Sequence, residues 1–262
     1  MSKRIIYYYQ TFIGLKDILT VDTKVTHIHL SSIHFGTDNN NPYIHLNDHN
    51  PSDPIFDSVW SELEKAKQLG IKIILMVGGA GGAFQTLFSN YNTYYNLLKN
   101  LLYSKKDIID GIDLDIEEQV SITNVENLIK TIKTDFGSNF IVTMAPIQSS
   151  MQSDQSGMGG FIYKDLYKSC GSYIDYFNVQ CYYDYSYNAY KEIINNGYPV
   201  EKIVMGSISS QDITQNINTI KNIVQIYPNI GGVFNWEYYD SPPDSHYPGT
   251  WSQLMYEALS IV

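Results

Sequence analysis

Eight short runs rich in β-branched residues recur along the chain, and they constrain its fold more than any other feature. A polar loop and then a helical pattern follow most of them. This alternation predicts parallel strands, because each helix carries the chain back to begin the next strand. The predicted strands are residues 4–9, 25–31, 71–77, 109–116, 140–145, 176–182, 202–206 and 232–236. The clearest predicted helices are residues 57–69, 94–103, 124–136 and 214–226.

Signals for helix ends accompany two of these helices. Thr123 and Glu126 have the spacing of a capping box at the start of the third helix. Gly70 and Gly137 stand where the C-caps of the first and third helices belong.

A closed barrel and an open doubly wound sheet both satisfy the alternation. Polar and glycine-rich residues gather after many strand ends, and in a barrel those loops form one shared rim. A doubly wound sheet would more typically carry one phosphate-binding loop, and the sequence contains no such motif. With 262 residues, the chain is close to the roughly 250 typical of such barrels. We therefore expect one (β/α)8 TIM barrel domain of class α/β over residues 1–262.

Charge and composition argue against several classes of partner. The formal charge is −10, and the sequence has no Lys/Arg cluster, so neither nucleic acid nor an anionic membrane is expected to bind. No window is apolar enough to span a bilayer, and Cys170 and Cys181 have neither disulfide-framework nor metal-site spacing. The N-terminal residues lack an apolar stretch of signal-peptide length. We expect an intracellular monomer, unless the chain has been trimmed of a leader.

The most informative segment is residues 110–117, with the sequence Asp-Gly-Ile-Asp-Leu-Asp-Ile-Glu. Successive side chains of a strand point to opposite faces, so Asp113, Asp115 and Glu117 share one face. A solvated strand face would be the simplest explanation, but parallel barrel strands have no solvent-exposed face. Burying a carboxylate without a partner costs on the order of several kcal/mol. The pattern therefore indicates a catalytic role for the three acids.

Coupling between these acids predicts their chemistry. Side chains at alternate strand positions lie about 7 Å apart, and like charges at that spacing cannot all ionise, so at least one pKa rises. Glu117 is nearest the opening and is the expected proton donor to a leaving-group oxygen. Asp115 is its partner, which passes a proton or turns toward the substrate, and Asp113 tunes the pair from below.

A standard retaining glycosidase also needs a second carboxylate about 5 Å across the scissile bond. Asp184, Glu118 and Glu237 are nearby candidates, but strand alternation places Glu237 on the outer face. None is an obvious nucleophile. This points to substrate-assisted catalysis, in which the 2-acetamido oxygen of the sugar attacks.

Residues 110–117 resemble the signature Asp-Gly-x-Asp-x-Asp-x-Glu of glycoside hydrolase family 18. Further segments are similar to one subgroup of that family, in the same order over nearly the whole chain. They are residues 44–48, 54–60, 77–80, 143–146, 178–182 and 231–239. The subgroup includes fungal endo-β-N-acetylglucosaminidases, which release N-glycans between the two core N-acetylglucosamine (GlcNAc) residues. The resemblance implies a glycan as partner, with neither a cofactor nor a metal.

The resemblance also implies roles for matched positions. Glu117 would be the acid/base, and Asp115 would orient the acetamido group and stabilise an oxazolinium intermediate. Tyr182 would hydrogen-bond the acetamido carbonyl, and Trp236 would form the floor under the sugar. Gln180 shares the strand face of Tyr182 and is expected in the substrate-binding set with it.

Other positions complete the expected site. Gly78 and Gly79 follow a buried strand, where glycine permits close approach by a ligand or another backbone. Asp110, the first residue of the signature, is grouped with them as substrate-binding. Many family members carry a serine two residues before the glycines, but Met76 stands there, which removes one hydroxyl from the acid network around Asp113.

Three sets of polar residues carry weaker signals. His27 and His29 have metal-ligand spacing on one strand face, but no third ligand is evident, so no metal site is expected. Asn47 and Asp48 could contact sugar, although Asx-turn chemistry explains them more simply. Residues 39–41, all asparagine, fit a solvated loop.

Three functions are compatible with these observations. The leading one is an endo-β-N-acetylglucosaminidase acting on N-glycan cores, and the second is an endochitinase with the same chemistry on a GlcNAc homopolymer. The third is an inactive glycan-binding lectin, which the presence of Asp113, Asp115 and Glu117 disfavours.

Overall fold

The computed structural model describes residues 3–261. Of the nine described strands, eight are parallel and close into a barrel. The remaining strand, the third along the chain, forms an antiparallel hairpin with the second. The strands are β1 (Arg4–Tyr9), β2 (His27–Asp38), β3 (Asn41–Leu46), β4 (Lys72–Gly78), β5 (Gly111–Asp115), β6 (Ile141–Met144), β7 (Tyr176–Gln180), β8 (Ile203–Ile208) and β9 (Gly232–Trp236). Around the barrel the order is β1-β2-β4-β5-β6-β7-β8-β9, and β9 pairs with β1. The predicted (β/α)8 barrel is confirmed.

Helices pack around the outside of this barrel. They are α1 (Asp57–Gln68), α2 (Phe84–Ser89), α3 (Tyr91–Ser104), α4 (Ile122–Phe136), α5 (Gln148–Gln152), α6 (Tyr163–Cys170), α7 (Tyr187–Asn195), α8 (Ile213–Ile226) and α9 (Gly249–Leu259). Apolar residues at helical spacing explain each buried face, and in α4 these are Val125, Leu128, Ile129 and Ile132. Within residues 3–261, no helix combines the length and the apolar character needed to cross a membrane.

The ends of one helix differ from the expected signals. The N-cap of α4 is Ser121, and neither Thr123 nor Glu126 forms a capping box, because both lie inside the helix. Glu126 instead accepts a hydrogen bond from Ser169 at 2.5 Å. Gly137 does follow the helix as its C-cap with φ 89°, as predicted.

Strand β2 extends seven residues beyond its predicted end. It pairs antiparallel with β3, which the predicted strands do not include. Asn39 and Asn40 have φ of 47° and 64°, the left-handed conformation that a two-residue hairpin turn requires. The asparagines predicted as a solvated loop are therefore a hairpin turn, and this hairpin forms one wall beside the open end of the barrel.

Inside the barrel, inward-facing side chains form a small core of their own. Outward-facing strand residues join the larger core beneath the helices. The inner apolar cluster consists of Ile6, Tyr8, Met76, Tyr176, Val204 and Phe234. Met76 pairs with Asp113 in the register of β4 and β5, and the hydroxyl of Tyr8 contacts the Asp113 carboxylate, so this cluster packs beside Asp113 inside the barrel.

Candidate active site

The acidic strand adopts the predicted alternation. Ile112 and Leu114 of β5 are fully buried in the outer core. Asp113 is 0% exposed and Asp115 is 5% exposed, and both point into the barrel, where they contact side chains from other strands. Glu117 follows two residues beyond the end of β5 and is half-buried at the rim. The three carboxyls thus form a column that rises from Asp113 inside the barrel to Glu117 at the rim.

One side-chain amide joins the two upper acids. Nε2 of Gln180, at the end of β7, lies 3.1 Å from Oδ1 of Asp115 and 3.3 Å from Oε1 of Glu117. The same nitrogen donates to the carbonyl oxygen of Ala145 at 2.9 Å. An amide nitrogen has two hydrogens, so it cannot fully satisfy all three oxygens. A proton shared between Asp115 and Glu117 would supply the missing donor.

The surroundings of Asp115 favour its protonated form. Burial, with the charges of Glu117 and Asp113, raises the pKa of Asp115 well above its ordinary value. Asp115 therefore holds a proton at a pH where an ordinary aspartate has lost it. The predicted role of Glu117 as proton donor to the leaving group stays a prediction. Glu117 remains the acid nearest the opening.

Below this pair, Asp113 is surrounded by donors. Its Oδ1 accepts from the hydroxyl of Thr143 at 2.5 Å and from Nδ2 of Asn178 at 3.2 Å. Its Oδ2 accepts from the hydroxyl of Tyr8 at 2.7 Å and lies 3.3 Å from Nδ1 of His29. Burial raises the pKa of Asp113, but these contacts outweigh it and hold the pKa below its ordinary value. Asp113 is thus an ionised acceptor.

Tyr182 and Trp236 border the acid column, as expected. Tyr182 follows β7 two residues after Gln180, and its ring packs edge-on against Phe234 at 6.3 Å. Burial and the charges of Asp115 and Glu117 raise the pKa of Tyr182 well above its ordinary value, so its hydroxyl stays a donor. Trp236 ends β9 half-buried, with its ring 5.3 Å from that of Tyr8.

The two glycines after β4 lie directly against Asp115. Gly78 has φ 98°, and a Cβ there would approach the backbone oxygen of Asp115 to 2.2 Å. Gly79 has φ 84° and donates its N–H to that oxygen at 2.9 Å. A Cβ on Gly79 would come within 3.6 Å of the Asp115 carboxylate. Both positions therefore keep the backbone close to the acid pair, and their expected contact with substrate remains a prediction.

Asp110 does not belong to this site. It precedes β5 at the opposite end of the barrel, about 16 Å from Asp115 by strand rise. Its carboxylate binds Lys67 at 2.7 Å and Lys72 at 3.1 Å, and it accepts from the N–H of Ile73. The expected role in substrate binding was wrong, because the signature segment runs the full height of the barrel.

Two of the three candidate nucleophiles are engaged elsewhere. Glu118 accepts from the backbone N–H groups of Ala83 and Phe84 at the start of α2. Glu237 accepts from the N–H groups of residues 10 and 11 at 2.8 and 2.9 Å. Asp184 is exposed in the loop after β7. This arrangement offers no carboxylate already aimed across from Glu117 among the described contacts.

His29 and Asn47, for which the sequence predicts no role in the active site, have structural roles. His29 belongs to the acid network, and within residues 3–261 no group of three or more His, Cys, Asp or Glu side chains could hold a metal ion. Asn47 links strands, because its Oδ1 accepts from the N–H of Ser32 and its Nδ2 donates to the carbonyl of Gln10. A polar residue inside a β-branched run, such as His29, was the signal that could have revealed the network.

Two cavities lie on either side of the acidic strand at the rim. One is next to β6 and β7 and is lined by Ile147, Gln148, Ser149, Gln152, Gln180, Tyr182, Tyr183 and Asp184. The other lies between the β2–β3 hairpin and the loop after β4, where Glu118 also lines it. Since β5 stands between β4 and β6, the carboxyl column occupies the middle of one continuous edge.

Sequence comparison identifies the family of this site. Residues 4–239 match the family model described as Glycosyl hydrolases family 18. The chain belongs to glycoside hydrolase family 18. A curated relative, Chitinase 2 of Rhizopus oligosporus, is 28% identical over 137 residues, which are 49% of this chain and 23% of that protein. The chain thus spans less than a quarter of the length of that relative.

Solved structures of family 18 enzymes share the whole fold. A fungal endo-β-N-acetylglucosaminidase superposes with a TM-score of 0.90 at 31% identity, covering 98% of both chains. The chitinase ChiC from Aspergillus fumigatus superposes with a TM-score of 0.85 at 28% identity, covering 98% of this chain and 100% of that one. The family 18 hydrolase described here thus has both kinds of enzyme among its structural neighbours.

Proposed function

We propose that this family 18 hydrolase is an endo-β-N-acetylglucosaminidase that cuts the β-1,4 bond between the two core GlcNAc residues of N-glycans. The observation that carries the reaction is the Asp115–Glu117 pair, bridged by Gln180 at the rim of the barrel. The choice of substrate rests on the likeness to the fungal endo-β-N-acetylglucosaminidase over 98% of both chains.

The reaction proceeds by substrate assistance with retention. The 2-acetamido oxygen of the sugar attacks the anomeric carbon while Glu117 gives a proton to the departing glycosidic oxygen, so the glycosidic bond breaks and an oxazolinium forms. The proton that Glu117 gives has come from Asp115, which as an anion then stabilises the positive acetamido nitrogen. Tyr182 donates its hydroxyl to the acetamido oxygen. Glu117 then deprotonates a water that opens the intermediate.

Several features support this assignment of roles. Glu118 and Glu237 are bound to backbone N–H groups, which leaves the sugar's own acetamido oxygen as the better nucleophile. Trp236 offers a half-buried ring at the rim, suited to stacking under a sugar. Cavities on both sides of the acidic strand fit an enzyme that binds sugars before and after the cut, as endo action requires.

The first test is product analysis on two substrates. The protein is incubated with a high-mannose glycoprotein and, separately, with chitin oligomers, and both products are analysed by mass spectrometry. Loss of the glycan with one GlcNAc left on Asn is the expected result. An untouched glycoprotein, native and denatured, would refute the proposed substrate.

Glu117→Gln tests the proposed acid. We expect turnover to fall by about 10²–10⁴ or more while binding of the glycan survives, because the amide cannot donate an acidic proton. Asp110→Asn is the matched control, since it changes an acid of the same segment at the far end of the barrel. Equal turnover in Glu117→Gln and the wild type would overturn the assignment of Glu117.

Substrate assistance has its own test. A thiazoline mimic of the oxazolinium should bind far more tightly than the product sugar, as analogues of high-energy states do. Asp184→Asn should then retain turnover within about tenfold, because the exposed carboxylate is not the nucleophile. Loss of turnover in Asp184→Asn as large as in Glu117→Gln, with weak thiazoline binding, would instead support a protein nucleophile.

The second candidate is an endochitinase. Its support is the likeness to ChiC and to Chitinase 2, which share 28% identity with this chain over the aligned residues. The chemistry at Glu117 would be the same, and only the sugars in the flanking cavities would differ. Shortened chitin oligomers beside an untouched glycoprotein would favour this candidate over the first.

A further inference from the structure

A histidine lies beneath the catalytic pair, in the layer of the barrel that holds Asp113. His29 on β2 is fully buried, and its Nδ1 lies 3.3 Å from Oδ2 of Asp113. The angle does not give a regular hydrogen bond, so the contact is chiefly electrostatic. On its other side, Nε2 of His29 lies 3.3 Å from the hydroxyl of Tyr176. The imidazole thus bridges Asp113 and Tyr176 across the barrel.

The surroundings of His29 fix the position of its proton. An imidazole protonated only at Nε2 would turn the lone pair of Nδ1 toward an ionised carboxylate, which is repulsive. A proton on Nδ1 faces Asp113 instead, and Tyr176 donates its hydroxyl to Nε2. In the doubly protonated cation, Nδ1 also carries a proton toward Asp113. In both cases His29 presents an N–H hydrogen to Asp113, which favours the ionised carboxylate.

On β4, between β2 and β5, the residue level with Asp113 is apolar. Met76 pairs with Asp113 in the register of β4 and β5, and its side chain belongs to the inner apolar cluster. His29 approaches from the strand beyond, since β2 pairs with β4. His29 thus adds a fourth polar group at Asp113, from one strand further along than Met76.

The electrostatic effect reaches the catalytic pair through Asp113. Burial raises the pKa of Asp113, but the contact with His29 is the strongest of the opposing effects, and the net pKa is lowered. The charge that Asp113 thereby retains is one of the causes that raise the pKa of Asp115, after burial and Glu117. His29 therefore acts on Asp115 indirectly, through the charge of Asp113.

Other ionisable groups lie around this network on the surrounding elements. They are Tyr8 on β1, Asp115 and Glu117 at the end of β5, Tyr163 on α6, Tyr176 on β7, Tyr182 after β7, and Arg4 and His27 at the lower end of the barrel.

We infer that His29, held by Tyr176, is a positioning residue that keeps Asp113 ionised and so keeps the working proton on the Asp115–Glu117 pair. This inference rests on the proposed active site, and it extends that site to residues that never touch substrate. Without His29, Asp113 competes for the proton. Each proton that settles on Asp113 both leaves the pair and removes a charge that favours protonation of Asp115.

The test is the pH profile of kcat/KM for His29→Gln on a chromogenic GlcNAc-oligomer glycoside. We expect the alkaline limb of the kcat/KM profile to move to lower pH by about one unit. A neutral Asp113 no longer favours protonation of the Asp115–Glu117 pair, so the pair takes up its proton only at lower pH. KM should change little, since His29 lies below the substrate. Tyr176→Phe, which removes only the hydroxyl that holds Nε2, should move the limb in the same direction by less.

His27→Gln is the matched control. His27 lies two residues earlier on the same strand, its ring is 5.7 Å from that of Tyr176, and its Nδ1 binds the hydroxyl of Thr26 at 2.8 Å. It has no contact with Asp113 among the described hydrogen bonds and ion pairs. We expect the wild-type pH profile from His27→Gln. An equal shift in His27→Gln and His29→Gln would overturn the inference in favour of general damage to the barrel.

A readout without turnover separates this inference from the proposed function. With ¹³C-carboxyl-labelled aspartate, the NMR titration of Asp113 should move to higher pH in His29→Gln and in Tyr176→Phe. An unchanged Asp113 titration would overturn the inference, even if the wild type cleaves N-glycans. A moved titration with no turnover in the wild type would uphold the inference on Asp113 and refute only the proposed function.

Discussion

Tyr8→Phe is a direct test of the ionised state of Asp113. Tyr8 is 2% exposed, and its hydroxyl donates to Oδ2 of Asp113 at 2.7 Å. Its ring packs against Phe234, Trp236 and His29 at centroid distances of 4.8–5.3 Å, contacts that phenylalanine retains. The substitution therefore deletes one buried hydrogen bond to a carboxylate and leaves the packing in place.

The size and pH dependence of the effect follow from that contact. A hydrogen bond to a charged group contributes about 1.5–3 kcal/mol, so we expect the free energy of unfolding at pH 7 to fall by that amount. Burial raises the pKa of Asp113, but His29, Thr143 and Tyr8 outweigh it, and the net pKa lies below the ordinary 3.8. A carboxyl whose pKa is lower in the folded than in the unfolded state stabilises the fold at pH values above its unfolded-state pKa. This stabilisation is lost as the pH falls through the folded-state pKa.

Tyr8→Phe lacks part of this stabilisation, because the pKa of its Asp113 moves back toward 3.8. The difference in unfolding free energy from the wild type should therefore be constant from pH 7 to about pH 5 and shrink below the ordinary aspartate value. Urea unfolding followed by tryptophan fluorescence at several pH values measures it.

Tyr7→Phe on the same strand is the control for Tyr8→Phe. The hydroxyl of Tyr7 donates to the carbonyl of Pro248 at 2.5 Å and accepts from the N–H of Ser252 at 3.1 Å, both neutral groups. Its loss should cost about 1 kcal/mol at every pH tested. If Tyr8→Phe shows the same small and constant difference as Tyr7→Phe, Asp113 is not an ionised acceptor and the reasoning is refuted.

Three further substitutions probe the site and its support. Gly78→Ala should lower the free energy of unfolding by about 2–5 kcal/mol, because alanine adds backbone strain and a clash with the backbone oxygen of Asp115. Gly137→Ala has open space around it and should lose only the free energy of the backbone strain. Urea unfolding of both variants measures the difference. Asp110→Asn should cost about 1 kcal/mol of stability and leave kcat/KM unchanged, and a loss of activity would return Asp110 to the site. Gln180→Leu should lower kcat by about 10²-fold or more with retained folding by circular dichroism, and wild-type kcat would rule out the amide bridge.

The sequence predicted the barrel well because its signal is periodic. The predicted strand at residues 4–9 matches β1, and the predicted strand at 232–236 matches β9. The β2–β3 hairpin was missed, since a strand that leaves the barrel looks like a loop when only the strand–helix rhythm is followed. Its turn at Asn39 and Asn40 carried the local signal, two residues that tolerate positive φ.

The acids of the site, which lie in one strand segment, could be predicted from the sequence. Their partners, which come from several other strands, could not. Alternation in residues 110–117 placed Asp113, Asp115 and Glu117 correctly, because side-chain direction along one strand is fixed by its geometry. The partners of Asp113 come from β1, β2, β6 and β7, and their register is set by the closed barrel. His29 was therefore judged by its spacing from His27 and not by its distance from Asp113.

The number of hydrogen-bond donors around each acid explains why Asp113 differs from Asp115 and Glu117. Four donor groups lie within 3.3 Å of Asp113, so its carboxylate is satisfied without a proton of its own. Among the described contacts, Asp115 and Glu117 share the single amide of Gln180, which also serves a backbone carbonyl. The upper pair is short of donors, and in the proposed mechanism one proton on the pair makes up the shortage. Two carboxylates compete for that proton, so it can move from Asp115 toward Glu117 at the rim, as the proposed donation to the substrate requires.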